Sequence, residues 1–415
     1  MQDIVITGIG ALLPGCDNRD DLWRQLSRAE SQLRLHPVPG STDRVCPMGK
    51  IDEFNAARYL GDLAPDLRPD TPRDVQLYLS SLALALDDAA IEPSILACTA
   101  AGLFDGTSRG SFAFWDDLAR REQTTEARDL YRSRMLALAT PGQAVGLAAA
   151  LLGVRGPAYT FAVSCSSGAV ALGHAFRELS EGRIDIALAS GHESILIEPI
   201  YRMYEDAGLL SFENRVPERG LRPYSEHSGN AFGEGAVTFV LESRDHAQRR
   251  GATILAQVSS FAYANNGSHP TRVDVSGARP AELIRTVSKE AGLAPSQIGF
   301  VVGHGNGVEM SDRAEINCMR EAFGQQTATT PLISVKPIYG HTLGAASSLN
   351  IAAAALMLHH RRVIRTLNAG SVAGLTDMSF GGDPQKETHP DSGIALSFGL
   401  GGHNAAVALT SNTNL

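Results

Sequence analysis

Short apolar runs alternate with segments of helical period along most of the chain. Residues 4–10 read as a buried strand that runs into a glycine turn, and 20–26 as a short helix. A polar, proline-bearing stretch follows, to about residue 72. Residues 74–90 then carry leucines and a valine among alanines at helical spacing, 100–104 read as a strand, and 140–152 as a second buried helix. A strand at 158–163 stops at Ser164-Cys165-Ser166-Ser167-Gly168 and gives way to a helix over 169–181. Strands at 184–190 and 236–241 close this half. After a polar stretch the alternation begins again. Strands are expected at 254–262, 298–302, 332–335, 393–397 and 405–409, and helices at 280–291, 311–323 and 345–359. Strand–helix alternation repeated in this way predicts an α/β protein of two similar halves, 1–245 and 246–415. In such sheets the chemistry gathers at the carboxyl ends of strands, where Cys165, His304, Lys336 and the glycine loop at Gly399 all fall.

Composition narrows the class. The 415 residues are 43% hydrophobic and 20% charged, enough for a large core and unlike a disordered or fibrous chain. The 41 glycines are in excess and aromatics are scarce at 6%, so tight turns and close backbone packing are expected. A net charge of −9 without a long basic run argues against a nucleic-acid partner. The five cysteines are widely spaced with no C-x-x-C pair, so reduced thiols in a cytoplasmic enzyme are expected, and no zinc site. The start, Met1-Gln2-Asp3-Ile4, lacks the pattern of a secretory signal, and the apolar run over 351–358 is too short to span a membrane.

Several motifs invite chemistry. Gly8-x-Gly10 lacks the third glycine and following helix of a dinucleotide fingerprint. Gly106-Thr107-Ser108-Arg109-Gly110 has the spacing of a hydrolase elbow, but Ser111-Phe112-Ala113-Phe114-Trp115 is a poor helix start behind the serine. There is no phosphate loop and no His-Glu-x-x-His pair. Cys165 is different. It stands where a helix begins at once, so the positive end of the macrodipole would favour its thiolate, and its small neighbours leave room for a substrate. Alone it is as readily a small buried apolar residue. His304, in Gly303-His304-Gly305, and His341, in Gly340-His341-Thr342, would each by itself read as structural or surface histidines. Together, a cysteine nucleophile and two histidines can bind a thioester and stabilise an enolate or oxyanion.

Taken together these segments resemble the β-ketoacyl synthases of fatty-acid and polyketide assembly, nearly end to end. The likeness begins at Val5-Ile6-Thr7-Gly8-Ile9-Gly10 and passes through Val163-Ser164-Cys165-Ser166-Ser167-Gly168 and Arg222-Pro223-Tyr224 to Gly233-Glu234-Gly235-Ala236. It continues with Gly303-His304-Gly305 through Asp312 and Glu315, with Ser334-Val335-Lys336 through Gly340-His341-Thr342, and with Ser397-Phe398-Gly399-Leu400-Gly401-Gly402-His403-Asn404. The resemblance implies a thiolase-like fold of two ααβαβ-type halves, layered α/β/α/β/α and usually dimeric, as a homodimer or with a ketosynthase-like subunit. It implies a partner, the acyl carrier protein, whose phosphopantetheine arm brings the substrate; no metal or dissociable cofactor is called for. Cys165 would take the acyl group from a carrier thioester, with the N–H groups of Cys165 and Leu400 as oxyanion hole. His304 and His341 would stabilise the enolate left when a malonyl-type extender loses CO₂. Lys336 would pair with Glu315 and tune the histidines; a structural ion pair is the plainer reading of those two, and both can hold.

The chain departs from the family at the substrate-facing positions. Asn306 and Val308 replace the threonines expected near the pantetheine arm, and only Asn306 keeps hydrogen-bonding groups. Leu400 stands where a phenylalanine gates the nucleophile, beside Phe398 and Gly399, and His403 adds a third imidazole near the site. The stretch Ser225-Glu226-His227-Ser228-Gly229-Asn230 and Pro337 after the motif lysine also differ. These changes point to a discrete ketosynthase of a type II polyketide or related specialised pathway. The alternatives are an acyltransferase that uses Cys165 without condensing, and a non-catalytic partner subunit like a chain-length factor.

Overall fold

The fold is taken from a computed structural model, which describes residues 2–412 apart from 66, 69, 124–139, 226–227, 370–376 and 382–388. Glu226 and His227 of the departing stretch therefore lie outside the described residues.

Among the described residues, ten strands hydrogen-bond into one mixed sheet. Strands β1 (Ile4–Leu12), β4 (Ala101–Thr107), β5 (Ala158–Phe161), β6 (Ile186–Glu193) and β8 (Gly235–Ser243) come from the first half. Strands β9 (Ala256–Asn265), β10 (Val301–Val302), β11 (Leu332–Ile333), β12 (Ser392–Gly399) and β13 (His403–Thr410) come from the second. The order is β11-β10-β12-β13-β9-β1-β8-β6-β4-β5. From its inner strand outward, each half repeats one pattern. Two antiparallel pairings (β1/β8 and β8/β6; β9/β13 and β13/β12) are followed by two parallel ones (β6/β4 and β4/β5; β12/β10 and β10/β11). The halves join where Ile4–Ile6 of β1 pair antiparallel with β9. A separate small sheet, β2-β3-β7, is built from Arg34–Pro37, Val45–Gly49 and Phe232–Gly233.

Helices fill the layers between and outside. The helices Ser167–Ser180 and Ala346–His359 lie in the middle, the first against β4 and β6, the second against β12, and each against the other. Every residue from Ala346 to Leu358 is buried, as an apolar helix without a polar face must be. Their contact is close at the end that carries the nucleophile. A Cβ on Gly168 would stand 2.1 Å from Ser348 Oγ, and Ala169 N–H donates to Ser347 Oγ at 2.9 Å. The outer layers are the helix Arg73–Asp88 on β1 and β8, and the helix Ala278–Glu290 on β9 and β13 with Glu309–Phe323 packed on it.

Gly8 and Gly10 serve packing. A Cβ at Gly10 would lie 2.0 Å from the Ser81 carbonyl, so the helix Arg73–Asp88 rides directly on β1. Among the described residues, two helices of nine residues or more arise where none was expected, Phe112–Glu122 and Glu198–Asp206. The first corrects the reading of Ser111–Trp115 as a poor helix start: its buried Phe114 and Leu118 recur at helical spacing. No hydrogen bond among the described residues links the Ser108 hydroxyl to a histidine, so the elbow-like motif assembles no triad. Strands β10 and β11 are shorter than their apolar runs, because the chain bends away to form the loops that hold His304 and Lys336.

Candidate active site

Cys165 occupies a 3₁₀ turn, Ser164–Ser166, between β5 and the buried helix Ser167–Ser180. Ser164 takes a positive φ of 58°, and Val163 N–H donates to Ser167 Oγ at 2.9 Å, so the turn is pinned from both sides. The Ser166 hydroxyl ties it to β13 through the His403 carbonyl at 3.1 Å. Cys165 is 3% exposed, and its Sγ lies 3.2 Å from His341 Nε2.

The second half delivers both histidines. His341 follows the short helix Lys336–Tyr339 and is held by its backbone: its N–H donates to the Ala231 carbonyl at 2.7 Å, and its carbonyl accepts from Gly233 N–H at 3.1 Å. Gly340 turns the chain there with a φ of 78°. His304 leaves β10 in a loop cradled by Glu315. That carboxylate accepts from the N–H groups of His304 and Gly305, at 2.5 and 2.8 Å, and from the Tyr224 hydroxyl at 2.8 Å. Asp312 accepts from Asn306 and Tyr224 N–H groups at 3.1 and 2.8 Å. Asn350 braces the loop from the buried helix, its Nδ2 donating to the Gly303 and Leu396 carbonyls at 2.8 and 2.9 Å. The two imidazoles meet edge to face with centroids 5.3 Å apart, and Phe398 stacks on His304 at 5.7 Å.

Lys336 is buried, and its Nζ donates to the His304 carbonyl. The direct ion pair with Glu315 is not among the ion pairs of the described residues. Glu315 already has three donors and reaches Lys336 through the field instead. Burial pulls Lys336 down to about 8, against the opposing pull of Glu315, Cys165 and Asp312. Burial, and then the Lys336 charge, hold both histidines well below the usual imidazole range, so both are neutral near pH 7. Burial likewise raises Cys165, against the lowering effect of Ser164, Lys336 and Arg109. Burial thus works against the macrodipole, which would favour the thiolate. A neutral thiol 3.2 Å from a neutral imidazole can pass its proton to His341 when an electrophile arrives. Asp312 is pushed up to about 7 by burial, with Glu315 adding to the rise.

Cys165, His304 and His341 open onto one cavity of about 270 Å³. Asn306, Val308, Phe398, Gly399 and Leu400 all line it with Cys165, His304 and His341. The Asn306 Nδ2 sits 3.2 Å from His304 Nε2, with Val308 N–H donating to its Oδ1 at 3.1 Å. Phe398 N–H faces the other ring nitrogen at 3.4 Å. A neutral imidazole accepts at one nitrogen only, so Nε2 can donate to a substrate oxygen once the Asn306 amide gives way. The His403 ring stacks on Tyr263, whose hydroxyl lies 2.6 Å from Nδ1, and stands outside the cavity lining. Its place on the strand explains this, because His403 and Ala405 share a face of β13 and Tyr263 stands opposite Ala405 on β9.

Sequence reasoning passed over three residues. Tyr204 and Asn230 line the cavity, and Arg109 hydrogen-bonds Tyr204 while its charge reaches Cys165. Arg109 had been set aside with the elbow-like motif; Tyr204 lies in the unforeseen helix Glu198–Asp206; only Asn230 stood in a stretch already marked as unusual. The described residues hold no group of three or more His, Cys, Asp or Glu arranged for a metal ion, and no helix long and apolar enough to cross a membrane.

Two family models match the chain: the N-terminal domain of β-ketoacyl synthase over residues 1–247 and the C-terminal domain over 255–370. The chain is 26% identical to a Synechocystis protein named 3-oxoacyl-[acyl-carrier-protein] synthase 2, covering 98% of this chain and 97% of the relative. It is also 26% identical to the tetracenomycin polyketide synthase ketoacyl synthase alpha subunit of Streptomyces glaucescens, over 98% and 96%. Its fold matches a type II polyketide ketosynthase solved in complex with its acyl-carrier protein, with a TM-score of 0.87 at 23% identity over 99% of each chain. The sheet of two like halves, the shared cavity and these matches have one reading: the chain belongs to the β-ketoacyl synthase family, with its thiolase-like fold.

Proposed function

We propose that the protein joins a carrier-bound acyl group to a malonyl-type extender by decarboxylative Claisen condensation, in a type II polyketide or specialised fatty-acid pathway. The observation that carries this reading is the meeting, in one cavity, of Cys165 Sγ at 3.2 Å from His341 with the perpendicular ring of His304 behind it. In the first half-reaction His341 takes the thiol proton as Sγ attacks the acyl thioester. The Cys165 and Leu400 N–H groups hold the oxyanion, and the carrier thiol leaves with the proton. In the second, the malonyl thioester carbonyl faces the two imidazoles. Loss of CO₂ leaves an enolate whose oxygen they stabilise, His341 once its tautomer has shifted to carry the proton at Nε2. The enolate carbon attacks the acyl-cysteine, and collapse releases the Cys165 thiolate and a β-ketoacyl thioester two carbons longer. Lys336 keeps a positive charge beside both steps at neutral pH.

The acyl carrier protein is the partner in this reading, as for the ketosynthase solved with one. Exposed Arg272 on the cavity lining offers a cation to the phosphate of the arm. Strand β5 ends the sheet with Ala158 and Tyr159 exposed, an open edge on which a second ketosynthase-like subunit, identical or not, would pair. Five unpaired cysteines suit a cytoplasmic enzyme.

Incubation with an acyl-loaded carrier protein, followed by intact mass, tests the first step. An acyl adduct that Cys165→Ala abolishes is expected; a protein that stays unmodified, or an adduct that persists in the variant, would contradict it.

A further inference from the structure

Asn230 is 3% exposed, and its Oδ1 has no hydrogen-bond partner among the described residues. It lines the cavity that holds Cys165 and both histidines. Its backbone is fully engaged: the N–H donates to the Leu209 carbonyl at 2.7 Å, and the carbonyl accepts from Ser211 N–H at 2.8 Å. The backbone is therefore fixed at this point, while the side-chain acceptor stays empty among the described residues. Tyr204 and Leu209 flank it on the lining, and Leu210 and Phe232 belong to the apolar cluster that contains Cys165. An unpaired amide oxygen buried in such surroundings is destabilising. It becomes useful when a ligand supplies the missing donor.

We propose that Asn230 is a specificity-determining residue, whose Oδ1 accepts a hydrogen bond from a hydroxyl or amide N–H on the chain carried at Cys165. The inference rests on the condensing-enzyme reading and adds the substrate class: acyl thioesters with a donor near the thioester, in preference to plain alkyl chains. A site built to pair with a polar group discriminates against an analogue that lacks it, because the protein group then stays buried and unpaired. No bond is made or broken by Asn230 itself. Leu400 and Val308 on the same lining set no such demand, since their side chains neither donate nor accept.

The test uses carrier protein loaded with butyryl, 2-hydroxybutyryl or 3-hydroxybutyryl groups, with the rate of Cys165 acylation followed by intact mass. In the natural protein at least one hydroxy thioester should exceed butyryl about tenfold in kcat/KM, a difference of about 1.4 kcal/mol. In Asn230→Leu that ratio should fall to about one. Asn230→Ala is read in the same way, so one variant that fails to fold does not remove the test. Equal rates in the natural protein, or a ratio that survives both substitutions, would overturn the assignment while leaving the condensing-enzyme reading standing. Absence of any adduct, butyryl included, would overturn both.

Discussion

Cys165 is activated on demand. Burial raises its thiol above the ordinary cysteine value while both neighbouring imidazoles are held neutral, so at pH 7 the site stores no thiolate. A raised thiol pKa means that the thiolate fraction is small at neutrality and grows as pH climbs past 9. Alkylation of Cys165 by iodoacetamide should therefore keep accelerating above pH 9. A rate that levels off below pH 8 would show a pre-formed thiolate and contradict this arrangement. At this scale the nucleophile, both histidines and Lys336 could be read from motifs, since their spacing is tied to fixed turns. The partner of Lys336 could not. Glu315 lies in the matching motif, but which of its neighbours it contacts depends on how the His304 loop folds over it. The side on which His403 would point was equally hidden, because a one-residue step along a strand reverses a side chain's face.

Among the elements, the turn that presents Cys165 depends on glycines that let other backbone come close. Gly106 on β4 faces it, and a Cβ there would lie 2.5 Å from the Ser167 carbonyl carbon and 2.6 Å from Gly168 N. Backbone cannot swing aside as a side-chain end can, so Gly106→Ala should push β4 and the nucleophile turn apart. A loss of about 1–3 kcal/mol is expected, read as a lower urea midpoint at unchanged slope, together with slower Cys165 acylation. An unchanged midpoint and rate would show that the contact is slack. The strand and helix sequence of both halves was visible in the apolar pattern because its strands are short apolar runs and its helices repeat apolar residues at helical spacing. The helices Phe112–Glu122 and Glu198–Asp206 escaped it, since each buries only a few residues and exposes the rest. The small sheet β2-β3-β7 escaped for a related reason: its strands are two to five residues long and join segments far apart in the chain.

The whole molecule places one reaction across two halves. The first half supplies Cys165; the second supplies His304, Lys336, His341 and the Leu400 turn; the buried helices Ser167–Ser180 and Ala346–His359 lock them in register through Gly168, Ser347 and Ser348. The excess of glycine noted in the sequence finds much of its use at this seam, where Gly168, Gly191 and Gly344 leave no room for a Cβ. Two like halves were foreseeable from the repeated pattern, whereas their joining into one sheet through β1 and β9 was not, because those strands lie about 250 residues apart and the pairing covers only three residues. The direct measurement of what this assembly does is the product formed from acyl-carrier and malonyl-carrier protein together. The account predicts CO₂ release with a β-ketoacyl carrier product two carbons longer than the acyl donor, lost in Cys165→Ala. Acyl transfer from Cys165 to another acceptor without CO₂ release would contradict it.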